Sequence, residues 1–152
     1  MSIKEICSRS VVTVGRGDSI VLAAQRMREH HVGSVVVAEL RDGKPFPVGM
    51  LTDRDVAIGV VATGLDPART PVEAAMRAEV VSVHDSESVA CTVSLMRAQG
   101  VRRLPVVDGE GVLVGIVSAD DLLELFSGEL SGIAALVGQG DVRGRFLRAA
   151  SS

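Results

Sequence analysis

Aromatic residues are nearly absent: the 152-residue chain has three Phe and neither Trp nor Tyr. A protein that grips single-stranded nucleic acid needs aromatic platforms on which bases stack. A net charge of −3 also supplies no cationic surface for a phosphate backbone, so a nucleic-acid partner is disfavoured. No apolar run reaches the roughly 20 residues that cross a bilayer, so no membrane partner is expected. The opening residues, Met1-Ser2-Ile3-Lys4-Glu5-Ile6, lack the apolar core of a secretion signal. Only two cysteines are present, Cys7 and Cys91. They make no disulfide framework and read as free thiols in a reducing cytoplasm. His30-His31 has no Cys or acidic cluster beside it, and helix neighbours point in different directions, so no metal is expected. His84-Asp85-Ser86 is too local for a catalytic triad, and no Gly-x-Ser-x-Gly elbow occurs. Gly138-Gln139-Gly140 follows no strand and is no phosphate loop. Arg16-Gly17-Asp18 is the turn entering a helix. With no paired carboxylates or activated nucleophile to assign, the chain is not expected to be an enzyme.

What is abundant is aliphatic. Hydrophobic residues make up 47% of the chain, ample for a buried core and unlike a disordered segment. The pattern is also duplicated. Val11-Val12-Thr13-Val14 lies over Val80-Val81-Ser82-Val83 at an offset of 69 residues, which also aligns Ser19 with Ser88, Met27 with Met96 and Val37 with Val106. Further on, Val48-Gly49-Met50-Leu51-Thr52 lies over Val114-Gly115-Ile116-Val117-Ser118 at an offset of 66, and Asp55 falls on Asp121. The first copy therefore has three extra residues in its Leu40-to-Pro47 loop, where a duplicated fold tolerates them best.

Each copy reads β-α-β-β-α. The first strand is Val11 to Val14, or Val80 to Val83. Ser19 and Ser88 are N-cap candidates. Ile20, Ala23, Ala24 and Met27 have the spacing of one buried helix face, repeated by Val89, Thr92, Val93 and Met96. Strands are expected at Ser34 to Ala38 and Val48 to Leu51, matched by Leu104 to Val107 and Leu113 to Val117. Loops with Asp42-Gly43 and Asp108-Gly109 join them. A second helix starts after Thr52 and after Ser118. Between the copies, Thr63 to Pro71 is a Gly/Pro-rich linker, and Pro71 opens a short helix, Val72 to Met76, whose counterpart is Ile3 to Cys7. The fold class is α/β (α+β), two repeats sharing one core. The expected boundaries are 1–70, 71–127 and a helix or tail at 128–152. Gly138 and Gly140 are expected to interrupt that last helix, and Arg143, Arg145, Phe146 and Arg148 could form a small basic amphipathic helix, for a partner or subunit contact or else as a flexible end.

Two strand-to-helix corners are the places for chemistry, Gly49 to Asp55 and Gly115 to Asp121. A hydroxyl (Thr52, Ser118) followed three residues later by a carboxylate (Asp55, Asp121) puts both on the first helical turn. The carboxylate can accept two hydrogen bonds from a ribose diol, and the hydroxyl can donate to a sugar or phosphate oxygen. The same residues also make an ordinary capping box. Residues alone leave both readings open.

The Val-Val-Thr-Val strand, the capped helix ending near Met, Arg102-Arg103-Leu104-Pro105-Val106-Val107-Asp108 and Gly-Ile-Val-Ser-x-x-Asp together resemble the CBS domain, which usually occurs as a pair. The resemblance covers about residues 5 to 127. It implies a pseudo-two-fold pair with two equivalent clefts that take AMP, ADP, ATP or S-adenosylmethionine, and a homodimer. Carried over residue by residue, it implies a main cleft of Ser10, Val11, Val12, Arg54, Arg102, Ile116, Ser118 and Asp121. Arg54 and Arg102 would meet the phosphate, since guanidinium offers a planar fork of donors. The other cleft has Val80, Val81, Met50, Thr52 and Asp55. Gly33 and Asp120 stand at its phosphate positions, so it is expected to be weaker or empty. The expected role is a cytoplasmic sensor that signals to a separate, unidentified protein. The alternative is a structural dimerisation or docking module with no nucleotide. The resemblance thus implies an adenine nucleotide as the expected ligand, with no catalytic cofactor.

Overall fold

The computed structural model describes residues 1–150, with side chains described through residue 139. The chain divides into a compact unit, Met1–Ser118, and a helical unit that begins at Ala119. In chain order the first unit contains α1 (Ile3–Ile6), β1 (Thr13–Val14), α2 (Ile20–His30), β2 (Ser34–Arg41), β3 (Lys44–Thr52) and α3 (Asp53–Val56). A π-helical turn (Ala57–Val61) and a 3-10 turn (Val72–Ala74) follow. The second repeat then supplies β4 (Val83–His84), α4 (Val89–Gln99), β5 (Arg103–Val107) and β6 (Leu113–Ser118). Helix α5 (Ala119–Ala150) makes up the second unit.

The two repeats build matching three-stranded sheets, ordered β1-β2-β3 and β4-β5-β6. In each, the first strand pairs in parallel with the second, and the second with the third antiparallel. The helices start where their serines place them. Leu22 N donates to Ser19 Oγ at 3.2 Å, and Cys91 N donates to Ser88 Oγ at 3.1 Å. Both helices end on a left-handed residue, His31 (φ 53) and Gly100 (φ 62). On α2, Ile20, Ala23 and Met27 are buried, whereas Ala24, expected on that face, is exposed. A stripe at i, i+3 and i+7 suffices because β2 and β3 cover only one side of the helix.

Strand lengths differ from the sequence expectation at both ends. Strands β1 and β4 keep only two residues each, since only Thr13 and Val14, or Val83 and His84, find ladder partners. The β2–β3 hairpin is longer than expected and closes at Arg41↔Lys44. Asp42 (φ 51) and Gly43 (φ 75) form the two-residue turn whose left-handed pair matches strand twist. Pro45 and Pro47 are accommodated because β3 is an edge strand with one unpaired side. Helix α5 also departs from expectation, running without interruption through Gly138 and Gly140 to Ala150. Glycine costs a helix about 1 kcal/mol relative to alanine, which lowers stability without forcing a break. The side chains of Arg143, Arg145, Phe146 and Arg148 lie outside the described residues.

The segments preceding each repeat are exchanged between repeats. Ile3 N donates to Glu87 O at 2.9 Å, Lys4 N to Asp85 O at 2.9 Å, and Ser8 bridges Ile116. Reciprocally, Val72 N donates to Asp18 O at 2.8 Å, Glu73 N to Arg16 O at 3.0 Å, and Arg77 bridges Met50. Val72 is fully buried within the first repeat's core with Ile20, Val35, Val37, Leu51 and Val60. Ile3, its counterpart at the offset of 69, is likewise fully buried. Each repeat is therefore completed by the chain that leads into the other, and this brings the two sequence-identified strand ends next to their clefts.

Candidate functional site

The corner after β3 is organised by its own backbone. Asp55 N donates to Thr52 Oγ1 at 3.1 Å, and Thr52 N donates to Asp55 Oδ2 at 3.0 Å. This is the reciprocal capping box, and it commits the hydroxyl and one carboxylate oxygen. The second carboxylate oxygen, Oδ1, has no hydrogen-bond partner among the described residues. Thr52→Ala is accordingly expected to cost about 1 kcal/mol of stability, read by urea unfolding with and without AMP. An unchanged midpoint would show that the cap is not stabilising.

The residues expected at the two clefts are placed as follows. Ser10, Val11 and Val12 form the extended segment before β1, with Val12 O accepting from Val36 N at 3.0 Å. Ile116 on β6 pairs with Ser8, both backbone bonds being 2.9 Å, so it lies two residues from Ser10 along this segment. Arg54 is exposed on α3 and Arg102 is exposed just before β5. Ser118 is buried at the end of β6, opposite Arg103. Asp121 is in the first turn of α5, three residues after Ser118. At the second cleft, Met50 pairs with Arg77 (Met50 N to Arg77 O 3.2 Å, Arg77 N to Met50 O 2.9 Å).

A cavity of about 410 Å³ opens beside that second pair. It brings Met50, Val80 and Val81 together, as the sequence proposed for the second cleft, while Thr52 and Asp55 are not in its wall. Arg77, Glu79 and Arg103 line it as well. Sequence reasoning passed over these three. It compared only positions known from the resemblance, and it singled out Arg102 rather than its half-buried neighbour Arg103. The usable signal was the asymmetry of the duplication, since the offset of 69 places Arg77 over Ser8 and Arg103 over Ser34. Neither Arg77 nor Arg103 is paired with a carboxylate among the described residues. The lining thus combines aliphatic side chains with two guanidinium groups that make no ion pair among the described residues, and Glu79 is its single acid. Such a surface can hold a flat apolar ring and an anionic tail at once. Ser34, the positional match of Arg103, is buried, and its Oγ has no hydrogen-bond partner among the described residues. A buried polar atom of this kind costs stability unless something else supplies the bond.

No group of three or more metal-ligating side chains occurs among the described residues. No helix among them is long and apolar enough to cross a membrane. Neither Cys7 nor Cys91 forms a disulfide among the described residues.

The duplicated sheets and the exchanged leading segments define the protein as a tandem α/β pair. Residues 3–61 and 72–128 match the CBS domain, and the chain belongs to the CBS domain family as a tandem pair. An uncharacterized Methanopyrus kandleri protein, MK0525, is 38% identical over 125 residues, covering 82% of this chain and 62% of that protein. The chain therefore spans under two thirds of that relative. CBS domain-containing protein YhcV of Bacillus subtilis is 40% identical over 134 residues, 88% of this chain and 91% of that protein. Among solved structures, the CBS domain pair of protein MJ0100, in complex with 5′-methylthioadenosine and S-adenosyl-L-methionine, superposes with a TM-score of 0.73. It is 27% identical and covers 85% of this chain and 98% of that one. CBS domain protein PAE2072 from Pyrobaculum aerophilum, complexed with AMP, gives 0.72 at 27% identity, covering 84% and 99%.

Proposed function

We propose that this chain is a non-enzymatic regulatory module that binds an adenine nucleotide and passes the occupancy of its clefts to a separate protein. The observation that carries this reading is the 410 Å³ cavity in which Met50, Val80 and Val81 face the same space as Arg77 and Arg103. Its size falls within the roughly 300–1,000 Å³ of small-molecule sites. The aliphatic side chains receive adenine, and the two guanidinium groups receive phosphate. The related pairs bound to AMP and to S-adenosyl-L-methionine support the ligand class. AMP, ADP and ATP are the favoured ligands, S-adenosylmethionine being the other candidate. Arg77 and Arg103 make this cleft a better anion site than the sequence expectation allowed. The proposed main cleft keeps its sequence-based residues, Ser10, Val11, Val12, Arg54, Arg102, Ile116, Ser118 and Asp121, and the unpartnered Ser34 hydroxyl adds a donor to that list. The module is proposed to work in the cytoplasm as a homodimer.

Isothermal titration with AMP, ADP, ATP and S-adenosylmethionine tests the reading, counting sites per chain. Arg103→Ala should weaken binding 10- to 100-fold, about 1.4–2.8 kcal/mol, the worth of one charge-assisted contact. Asp121→Ala and Arg102→Ala test the main cleft separately, with the same expected loss. A folded Arg103→Ala variant with unchanged affinity would remove the phosphate from this wall. No heat with any of the four ligands would turn the assignment to a docking module without nucleotide.

A further inference from the structure

Glu79 is the one acid in the wall of the 410 Å³ cavity, where Arg77 and Arg103 are the cations. It is exposed, and it forms no ion pair or side-chain hydrogen bond among the described residues. Asp55, the carboxylate expected to meet a ribose in this cleft, is not in the wall. One of its oxygens already accepts from Thr52 N at 3.0 Å. The repeat offset of 69 places Glu79 over Ser10, a position expected to line the other cleft. Where the first repeat has a hydroxyl, the second therefore has an acid, and an acid near a phosphate site weakens it by repulsion unless it meets a donor. We propose that Glu79 binds the ribose diol of the nucleotide and so selects ribonucleotides over 2′-deoxyribonucleotides, an inference that rests on the adenine-nucleotide reading of this cavity.

Chain geometry and donor chemistry single out the sugar. An adenine nucleotide offers two kinds of donor, the ribose hydroxyls and the exocyclic amine of the base. Glu79 follows Arg77 by two residues, so their Cα atoms are at most about 7 Å apart. With the Arg77 guanidinium on the phosphate, the carboxylate next to it falls at the level of the sugar, which joins phosphate to base. The adenine amine is a whole ring system further on. An ionised carboxylate carries only acceptors, on two oxygens, and the 2′ and 3′ hydroxyls are two adjacent donors. Gln99, the remaining polar side chain of the wall, is neutral, and its bonds to hydroxyls are correspondingly weaker.

Two opposing effects meet at Glu79, and their sizes differ. Its repulsion of the phosphate acts at an exposed surface, where water and salt screen it. Hydrogen bonds to a charged acceptor are about twice as strong as neutral ones, and the diol makes two of them. The attraction to the diol wins. Loss of the carboxylate therefore weakens AMP binding, whereas removal of an acid that merely faced the phosphate would strengthen it.

Isothermal titration of the full chain with AMP and 2′-deoxy-AMP decides it, with Arg103→Ala run in parallel to identify the heat that comes from this cavity. The unaltered protein should bind AMP about 10- to 100-fold more tightly than 2′-deoxy-AMP. In Glu79→Gln and Glu79→Ala that preference should largely disappear, through weaker binding of AMP. Neither change breaks a bond of the fold, since the side chain is exposed and makes none among the described residues. Tighter AMP binding by Glu79→Gln overturns the proposal, as does equal binding of the two nucleotides by the unaltered protein. Loss of the ribose preference in Asp55→Asn but not in Glu79→Gln overturns it too, and returns the diol to the corner after β3. In these cases the nucleotide reading stands. AMP heat that Arg103→Ala leaves unchanged, or no AMP heat at all, removes the nucleotide from this cavity and this inference with it.

Discussion

Leu51→Ala is expected to destabilise the protein by about 2–5 kcal/mol, the cost of lost transfer energy plus the cavity left behind. Leu51 is 0% exposed on β3, directly across the ladder from Val35, which is itself buried. It joins Ile20, Val37, Val60 and Val72 in the first repeat's core. These neighbours come from a helix, two further elements and the exchanged linker, so they cannot all move in to fill the void. Leu40→Ala is the matched control: its side chain is 73% exposed near the hairpin end, and the change should stay within about 0.5 kcal/mol. Urea unfolding followed by circular dichroism measures both. Similar midpoints for the two variants would mean that Leu51 is not in the core. A net stability of about 5–15 kcal/mol is usual for a domain, so the Leu51 loss is large enough to compromise folding.

The second large effect concerns the paired glycines at the exchanged segments. A Cβ at Gly49 would lie 2.7 Å from Met76 Sδ and 2.8 Å from Arg77 O; one at Gly115 would lie 2.8 Å from Cys7 Sγ and 2.9 Å from Ser8 O. The two sites are equivalent in the repeats, and each lets the other repeat's leading segment approach within backbone hydrogen-bonding distance. In an unstrained backbone, alanine in place of glycine would gain about 0.4–1 kcal/mol by restricting the unfolded chain. Here the obstacle includes a carbonyl oxygen held in the bridges Met50↔Arg77 and Ser8↔Ile116, which cannot swing aside. The clash wins, and overpacking of this sort costs about 1–3 kcal/mol. Gly49→Ala and Gly115→Ala should therefore each lower the thermal midpoint. Gly109→Ala, where a Cβ meets nothing within 4 Å, should leave it unchanged or slightly raised. Neutral outcomes at both Gly49 and Gly115 would mean that the leading segments do not dock there.

A smaller effect acts at the N-terminus. Ser2 donates to Glu5 Oε1 from both its backbone N, at 3.2 Å, and its Oγ, at 3.0 Å. These bonds, backbone first, hold the Glu5 carboxyl below its ordinary value. Its folded value is depressed, so its contribution is present above the unfolded carboxyl value and is lost as pH falls through the lowered one. Docking of α1 is thus expected to loosen at acid pH. Amide exchange at Ile3 and Lys4, which donate to Glu87 O and Asp85 O, would report it.

Much of this architecture could be read along the chain. The serine caps at Ser19 and Ser88, the helix faces and the corners at Thr52 and Ser118 are all local patterns, and their recurrence along the chain marks the repeat. Each is set by interactions within about four residues or by an alternation that a folded sheet or helix must obey. The β2–β3 hairpin was under-read because Pro45 and Pro47 argue against a strand, and only the sheet order shows that β3 has a free edge. Val11, Val12, Val80 and Val81 were read as strand from their β-branched character. They lie outside the ladders because only Thr13 and Val14 have ladder partners on β2, and only Val83 and His84 on β5.

The cleft was legible in part. Met50, Val80 and Val81 were grouped by resemblance and do share one cavity, whereas Arg77 and Arg103 emerged only from the fold. Arg77 reaches the wall because the linker crosses to the first repeat and pairs with Met50, a contact between residues 27 positions apart. The sequence alone determined the repeat, its element order, its caps and the family they define, because those are written in short-range spacing. Only the tertiary structure decided which leading segment completes which repeat and which arginines face the cavity. Those outcomes depend on pairings between distant segments, whose free energy comes from shared burial and has no signature in either segment by itself.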